Sequence, residues 1–459
     1  MRIETGEPID PAFFGYEGDF SPIRAIATDS REIRPGDLFV ALRGEKTDGA
    51  SHIPEAFVRG AALVLSHRAL DRPGVLAVGD PVKSLSDAAA RYAETVPHKT
   101  VGITGSYGKT TLRHHLTEVL SPVLPVAFTE GNGNTDLSVS LTLLSMRKET
   151  RILLAELGMR GRGEIARLSR LIKPDYAVIT GIGSAHIGLL GSKEEICRAK
   201  CEIVEGMTKE GLLLYPATDT LLSAVVSRLP VSSLSVSADR SHPADYALRP
   251  VRESDESAFA LLSSPSGESF PAVIPGRDAA TLSSAAFCFA VCHALGIDRE
   301  IIRNGLSRIT PPPLRRQVFN VSGITVLLDC YNASPEPTEA ELSSLFRYRN
   351  QGKRLFLLLG DMLELGDAAV SFHRAVGGRA ATLSPERLYC VGAFGEAYRD
   401  GAEKAGLPRK RIGLYPADAL RKLAAEIKAR LIPGDLLYVK GSRALTLEKI
   451  VDYLKEAEN

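Results

Sequence analysis

The chain has 459 residues, 44% of them hydrophobic and 24% charged, with a net charge of +1. That composition predicts several soluble globular domains, and the near-zero charge points away from nucleic acid or an anionic membrane as partner. No basic-then-apolar leader opens the sequence and no apolar run is long enough to span a bilayer, so a cytoplasmic protein is expected.

The elements read as three blocks of alternating strand and helix signals, an α/β chain. The first block, residues 1–98, has a short apolar strand at Asp37–Leu42 and a helical stretch at Val82–Thr95. The second, residues 99–313, opens on the strand Thr100–Thr104, which feeds the loop Gly105-Ser106-Tyr107-Gly108-Lys109-Thr110-Thr111. A helix should run from Lys109 to about Leu120, then strands at Arg151–Glu156 and Tyr176–Thr180. Further helices are expected at Gly163–Ile172, Lys193–Met207 and Thr281–Leu295. Pro311-Pro312-Pro313 stiffens the chain into a linker. The third block, residues 314–459, has strand signals at Thr325–Asp329, Arg354–Leu359, Arg387–Val391 and Leu436–Val439, separated by helical stretches. Such alternation predicts mostly parallel sheets wound with helices, with ligand sites at the carboxyl ends of the strands.

Chemistry concentrates at the glycine loop. Its glycines let the backbone curl so that successive N–H groups, at Gly105, Ser106, Gly108 and Thr111 among others, cradle phosphate oxygens. The helix that follows adds the positive end of its dipole. Lys109 is placed to neutralise the β- and γ-phosphates and the Thr110 hydroxyl to hold Mg²⁺. The usual glycine six residues before the lysine is Ile103 here, so the loop is a shorter variant. Mg²⁺ also takes one or two carboxylates, and Glu156, ending an apolar strand, can supply one. His186 follows another strand and reads equally as a metal ligand or an ordinary loop histidine. Lys200 on a helix reads by itself as a surface lysine. The pairs Cys197/Cys201 and Cys288/Cys292 share helix faces and read as buried apolar residues rather than half of a metal site.

Taken together these stretches resemble the Mur ligases of peptidoglycan synthesis. The likeness runs through Asp29-Ser30-Arg31, Gly36–Gly44, the glycine loop, Gly131-Asn132, Glu156–Met159, Ala185-His186, Gly191–Ile203, the run Asp329–Pro335 (DCYNASP), Leu359–Gly366 (LGDMLELG), His373 and Val439–Ala444 (VKGSRA). DCYNASP and LGDMLELG are similar to the dipeptide-adding branch, and the Asp-Asn-Pro-Arg signature of the branch adding a single amino acid is missing. The resemblance implies an N-terminal UDP-substrate domain, a central phosphate-loop ATPase domain and a Rossmann-like C-terminal domain that closes on ATP. It implies a monomer that uses ATP and Mg²⁺ to join D-alanyl-D-alanine to UDP-N-acetylmuramoyl-tripeptide through an acyl phosphate. His186 would then sit at a second Mg²⁺, and Lys200 would be carbamylated into a carboxylate-like ligand, so that Lys109, His186 and Lys200 carry the catalysis. Arg315, Asp329 and Asn332 would meet the nucleotide from the third domain. Ser30 and Arg31 would hold the uridine diphosphate, and Lys440, Ser442 and Arg443 the dipeptide.

Several positions depart from the family pattern. Asn134-Thr135 and Ser138 stand where Asn-Asn and glycine are usual, and Thr180-Gly181 where Thr-Asn is. Asp278-Ala279 replaces a His-Asn pair and Leu282 a further asparagine. A relative that adds another amino acid or dipeptide, or one that keeps the fold without activity, stays open at this point. A GTPase switch would need an Asn-Lys-x-Asp motif, which the sequence lacks.

Overall fold

Short apolar segments of the first hundred residues pair in sequence order into a five-stranded sheet: Arg2–Ile9, Ile23–Ala27, Leu38–Val40, Leu63–Ser66 and Val75–Ala77. Only the first pair is antiparallel. The computed structural model describes residues 1–17, 21–44, 47–131, 133–254 and 256–456, so Asn132 of the motif Gly131-Asn132 lies outside the described residues. The helix Pro81–Ala93 carries this sheet onto the next unit. Ser86 and Ser140 hydroxyls meet at 2.8 Å, and Tyr92 Oη donates to the Met146 carbonyl at 2.6 Å.

A nine-stranded sheet forms the centre. In spatial order its strands are Ser269–Pro275, Ser257–Ser263, Tyr246–Glu253, Ser232–Ser237, Leu212–Pro216, Tyr176–Ile179, Lys99–Thr104, Ile152–Glu156 and Val126–Phe128. The pairings from Val126–Phe128 through Tyr246–Glu253 are parallel, and the last two are antiparallel. Lys99–Thr104 lies between Ile152–Glu156 and Tyr176–Ile179. The glycine loop, Glu156 and the Thr180–His186 segment therefore leave the carboxyl ends of three neighbouring strands.

The helix expected over Lys193–Met207 is α-helical only for Lys193–Cys201 and tightens into a 3₁₀ turn over Glu202–Gly206. Two contacts draw it in. The Glu202 carboxylate accepts from the Gly163 N–H at 2.8 Å, capping the helix Glu164–Ile172. Gly206 lies so close to the Ser169 backbone that a Cβ would sit 2.1 Å from the Ser169 carbonyl carbon.

The third sheet runs Gln317–Val321, Ile324–Asp329, Leu436–Lys440, Leu355–Gly360, Arg387–Val391 and Ile412–Tyr415, parallel after its first pair. Asp329 and Lys440 are register partners at its carboxyl edge. All six cysteines are buried. Among the described residues no helix is long and apolar enough to cross a membrane.

Candidate functional site at the cleft between the second and third sheets

The glycine loop is tight for a stated reason. Gly105 has φ +146°, and a Cβ there would stand 2.0 Å from the Thr180 hydroxyl; Gly108 enters the helix Lys109–Leu120 at φ +80°. Lys109 curls back to donate to the Gly105 carbonyl at 2.7 Å. Thr110 donates to both Glu156 carboxylate oxygens at 3.0–3.1 Å and accepts from Arg315 Nη2 at 3.1 Å. Behind Glu156 lies Arg113, whose Nε is 3.8 Å from Oε2, and the Glu156 main-chain N–H is held by the Thr129 hydroxyl at 2.9 Å. Burial lowers Lys109 from the ordinary lysine range, opposed by Glu156 and reinforced by Arg315. Lys109, Arg113 and Arg315 thus surround the Glu156 carboxylate with cations, a charge balance suited to an incoming polyphosphate.

Lys200 is not on the surface. It is 1% exposed, and among the described residues no carboxylate lies within ion-pair distance of it. Burial pulls its ammonium well below the usual range, and Lys109 pushes the same way. An amine buried without a counter-charge favours its neutral form, and that form reacts with carbon dioxide. His186 sits in the left-handed region at φ +67°, with Nδ1 2.6 Å from Glu364 of the LGDMLELG loop. That contact holds the Glu364 carboxyl below its ordinary value.

The third sheet closes the opposite wall. Arg315 is flanked by two non-glycine residues with positive φ, Leu314 at +60° and Arg316 at +50°, and stacks 4.3 Å over Tyr331. Strain of this kind persists where surrounding contacts impose it. Here the Cys330 and Tyr331 N–H groups both donate to the Leu314 carbonyl at 3.0 Å, aiming Arg315 at Thr110. Asp329 accepts from Lys440 Nζ at 2.6 Å, and Lys440 also reaches the Asn332 carbonyl at 3.2 Å. Glu336 crosses back to the central domain, accepting from the Ser184 hydroxyl at 2.7 Å and pairing with Lys193 at 2.7 Å.

Ser106, Gly108, Lys109, Thr110, Thr111, Glu156, His186, Lys200, Arg315, Asp329, Asn332 and Lys440 line one cleft of about 1020 Å³. The other expected residues lie away from its lining. Ser30 donates to Glu55 at 2.7 Å and Arg31 is paired with Asp29, both in the first domain. Ser442 is buried with its hydroxyl accepting the Leu363 N–H at 3.2 Å, and Arg443 pairs with Glu448. Among the described residues no three His, Cys, Asp or Glu side chains gather into a metal cage. One carboxylate and one hydroxyl, Glu156 and Thr110, still fit Mg²⁺, which keeps waters and phosphate oxygens for most of its shell.

Several contributors were not singled out in the sequence: Arg113, Tyr107, Glu336 and Glu364. Tyr107 accounts for one departure from the family pattern. A Cβ at Gly181 would be 2.7 Å from the Tyr107 hydroxyl, so the ring takes the space a side chain there would need. Asp278 has become the N-cap of the helix Ala279–Ala294, accepting from the Thr281 N–H at 2.9 Å, and it pairs with Arg316 at 3.3 Å.

His115, on the phosphate-loop helix, is 2% exposed, and burial holds its imidazole down at about 4. The unfolded chain, with an ordinary value near 6.5, takes up the proton first. Stability from this group is complete above about pH 6.5 and falls as the pH drops toward about 4, by on the order of 3 kcal/mol in full. Urea unfolding of wild type and His115→Gln at pH 7 and pH 4.5 checks this: the midpoint should fall less on acidification in the variant. Equal falls would refute the assignment.

Three family models match in order: Mur ligase family, catalytic domain, over residues 22–99; Mur ligase middle domain over 103–290; and Mur ligase, glutamate ligase domain, over 314–443. The chain is 34% identical to the UDP-N-acetylmuramoyl-tripeptide–D-alanyl-D-alanine ligase of Bacillus subtilis (strain 168), over 95% of this chain and 94% of that one. It is 31% identical to the ligase of the same name from Treponema pallidum (strain Nichols), over 94% of each. Among solved structures it superposes on MurF from Acinetobacter baumannii with a TM-score of 0.86 at 28% identity, covering 98% of this chain and 99% of that one. MurF ligase from Thermotoga maritima in complex with ADP gives 0.83 at 28% identity, covering 94% and 97%. With relatives this similar along nearly the whole length, the chain belongs to the Mur ligase family and is a ligase of the MurF type.

Proposed function

We propose that the chain joins D-alanyl-D-alanine to UDP-N-acetylmuramoyl-tripeptide at the expense of ATP, as a cytoplasmic monomer divided at 98/99 and 313/314. The observation that carries the chemistry is the meeting of Lys109, Thr110, Glu156 and Lys200 with Arg315 and Asp329 of the third sheet in one cleft. A carboxylate is a poor electrophile because oxide would have to leave. Transfer of the γ-phosphoryl of ATP to that carboxylate gives an acyl phosphate and ADP. The dipeptide amine then attacks the acyl carbon, the tetrahedral oxyanion collapses, and phosphate leaves. An α-amino group with pKa near 8 is neutral for roughly a tenth of the time at pH 7, so orientation and charge neutralisation matter more than a strong base.

The residues divide this work. The loop N–H groups and Lys109 hold the β- and γ-phosphates, and Arg315 steadies the charge that builds during transfer. Thr110, Glu156, His186 and a carbamylated Lys200 would hold Mg²⁺, which supplies charge neutralisation at the phosphates and the acyl carboxylate. Asp329 and Asn332 face the nucleotide from the third domain. Ser30 and Arg31 take the uridine diphosphate, and Lys440, Ser442 and Arg443 the dipeptide. The contacts of Glu336 with Ser184 and of Glu364 with His186 bridge the two walls and support closure, which keeps water from a hydrolysable acyl phosphate.

Phosphate release tests the reading. UDP-muramoyl-tripeptide, ATP and D-alanyl-D-alanine together should release phosphate, and omission of any one should stop it. Silence with every candidate amine would sink the ligase reading. Release with a single amino acid but not with the dipeptide would sink the dipeptide assignment.

A further inference from the structure

The histidine that follows the LGDMLELG run has both ring nitrogens engaged outside the cleft lining. His373, on the helix Ala369–Thr382, is fully buried and is not among the residues that line the cleft. Its partners fix its tautomer. Nδ1 is 2.6 Å from the Ala369 carbonyl, which can only accept, and Nε2 is 2.9 Å from the Met362 main-chain N–H, which can only donate. The ring proton is therefore on Nδ1, and Nε2 is the acceptor for Met362. The ring stacks on Phe394 with centroids 4.4 Å apart and meets Tyr398 edge-on at 4.8 Å.

Met362 is one of four consecutive residues tied to the body of the third domain. The Gly360 carbonyl accepts from Tyr398 Oη at 2.9 Å. The Asp361 carboxylate accepts from the Ala393 and Phe394 N–H groups at 2.8 and 3.0 Å. The Leu363 N–H goes to the Ser442 hydroxyl at 3.2 Å. The next residue, Glu364, is left-handed at φ +63° without being glycine, and it meets the central domain. Its carboxylate is 2.6 Å from His186 Nδ1, and its carbonyl accepts from the Gly188 N–H at 3.2 Å. His186 is itself at φ +67°, and a Cβ at Gly366 would stand 2.7 Å from the Gly188 Cα. Two strained residues facing each other across two domains mark a contact that the surrounding structure imposes. The two N–H groups immediately before Glu364 are held by His373 and Ser442, so these side chains set the direction in which the chain enters that turn.

We infer that His373 is a positioning residue of the ligase: by accepting the Met362 N–H it holds the turn that delivers Glu364 to His186, and so sets the geometry of a cleft it does not line. The inference rests on the proposed reading of the Glu364–His186 contact as part of cleft closure, and it names what keeps that contact in place.

Hydrogen exchange on the full chain and a double-mutant cycle test it. His373→Phe keeps a ring against Phe394 and removes the acceptor. Exchange should then speed by about tenfold in segment 361–366 and, in the central domain, in segment 186–190. His373→Asn, which keeps a donor for Ala369 and loses the acceptor, should give the same pattern and serves where the phenyl ring does not fold. His373→Gln, whose side-chain carbonyl can take the Met362 N–H, should slow both segments again. A merely structural role would speed the strands Leu355–Gly360 and Arg387–Val391 and leave 186–190 as in wild type. In phosphate release, His373→Phe and Glu364→Gln should each lower kcat/KM for the dipeptide by about tenfold, and the double variant should be no worse than either single one, because both remove the same contact. Unchanged exchange in 186–190, or a double variant down by the product of the two effects, about a hundredfold, overturns the inference and leaves the ligase reading standing. A wild-type chain that releases no phosphate with any amine overturns the ligase reading, and the inference with it.

Discussion

Replacing Lys200 with alanine is expected to reduce phosphate release by on the order of a thousandfold, about 4 kcal/mol of transition-state stabilisation. The expectation comes from burial without a partner. Lys200 is 1% exposed beside Lys109, so an ammonium there suffers both desolvation and like-charge repulsion. A neutral amine that adds carbon dioxide and releases a proton becomes a carbamate, and the site exchanges a second cation for an anion next to Lys109. Formate or acetate should partly restore Lys200→Ala by supplying the missing carboxylate. Protein equilibrated with ¹³C-bicarbonate should show a carbamate carbonyl resonance that the variant lacks. Full activity in Lys200→Ala, or no such resonance in wild type, would remove the carbamate from the account.

Glu156→Gln should also cost about a thousandfold, with a different signature. The carboxylate is 5% exposed, accepts from Thr110 and lies between Lys109, Arg113 and Arg315. Its removal leaves those cations uncompensated in a buried place. Nucleotide phosphates can replace the lost negative charge, but Mg²⁺ has lost its carboxylate. ADP affinity in EDTA should therefore stay level or rise, while the gain in affinity that Mg²⁺ brings to wild type should shrink. Titrations of ADP with and without Mg²⁺ separate the two effects. A variant with wild-type Mg²⁺ dependence would remove Glu156 from the metal shell.

The strands that were legible in the sequence are buried on both faces past their first residues and read as short apolar-rich runs: Lys99–Thr104, Ile152–Glu156, Leu355–Gly360, Arg387–Val391 and Leu436–Lys440 all lie within two residues of their expected bounds. The antiparallel edge of the central sheet was not legible. In Ser257–Ser263 the inward residues are Ala258, Ala260 and Leu262, but Phe259 and Leu261 between them are exposed, so apolar residues face both ways and the period of two disappears. The departure Thr180-Gly181 looked like a loss in the sequence; in space the Tyr107 ring takes up that position.

The chain by itself determined the phosphate loop, because curled backbone, lysine and helix start are consecutive residues and local geometry is enough to make them a site. It also determined which motifs stand at strand ends, since strand and loop are neighbours along the chain. Tertiary structure alone decided what those motifs meet. Arg315 reaches Thr110 across 205 positions of sequence, and Glu336 reaches Ser184 across 152. The surroundings of Lys200 were likewise decided only by packing, because one face of a short helix reads the same whether it meets water or a core. Burial is a property of the neighbours, and it is burial that pulls an ordinary lysine toward its neutral amine.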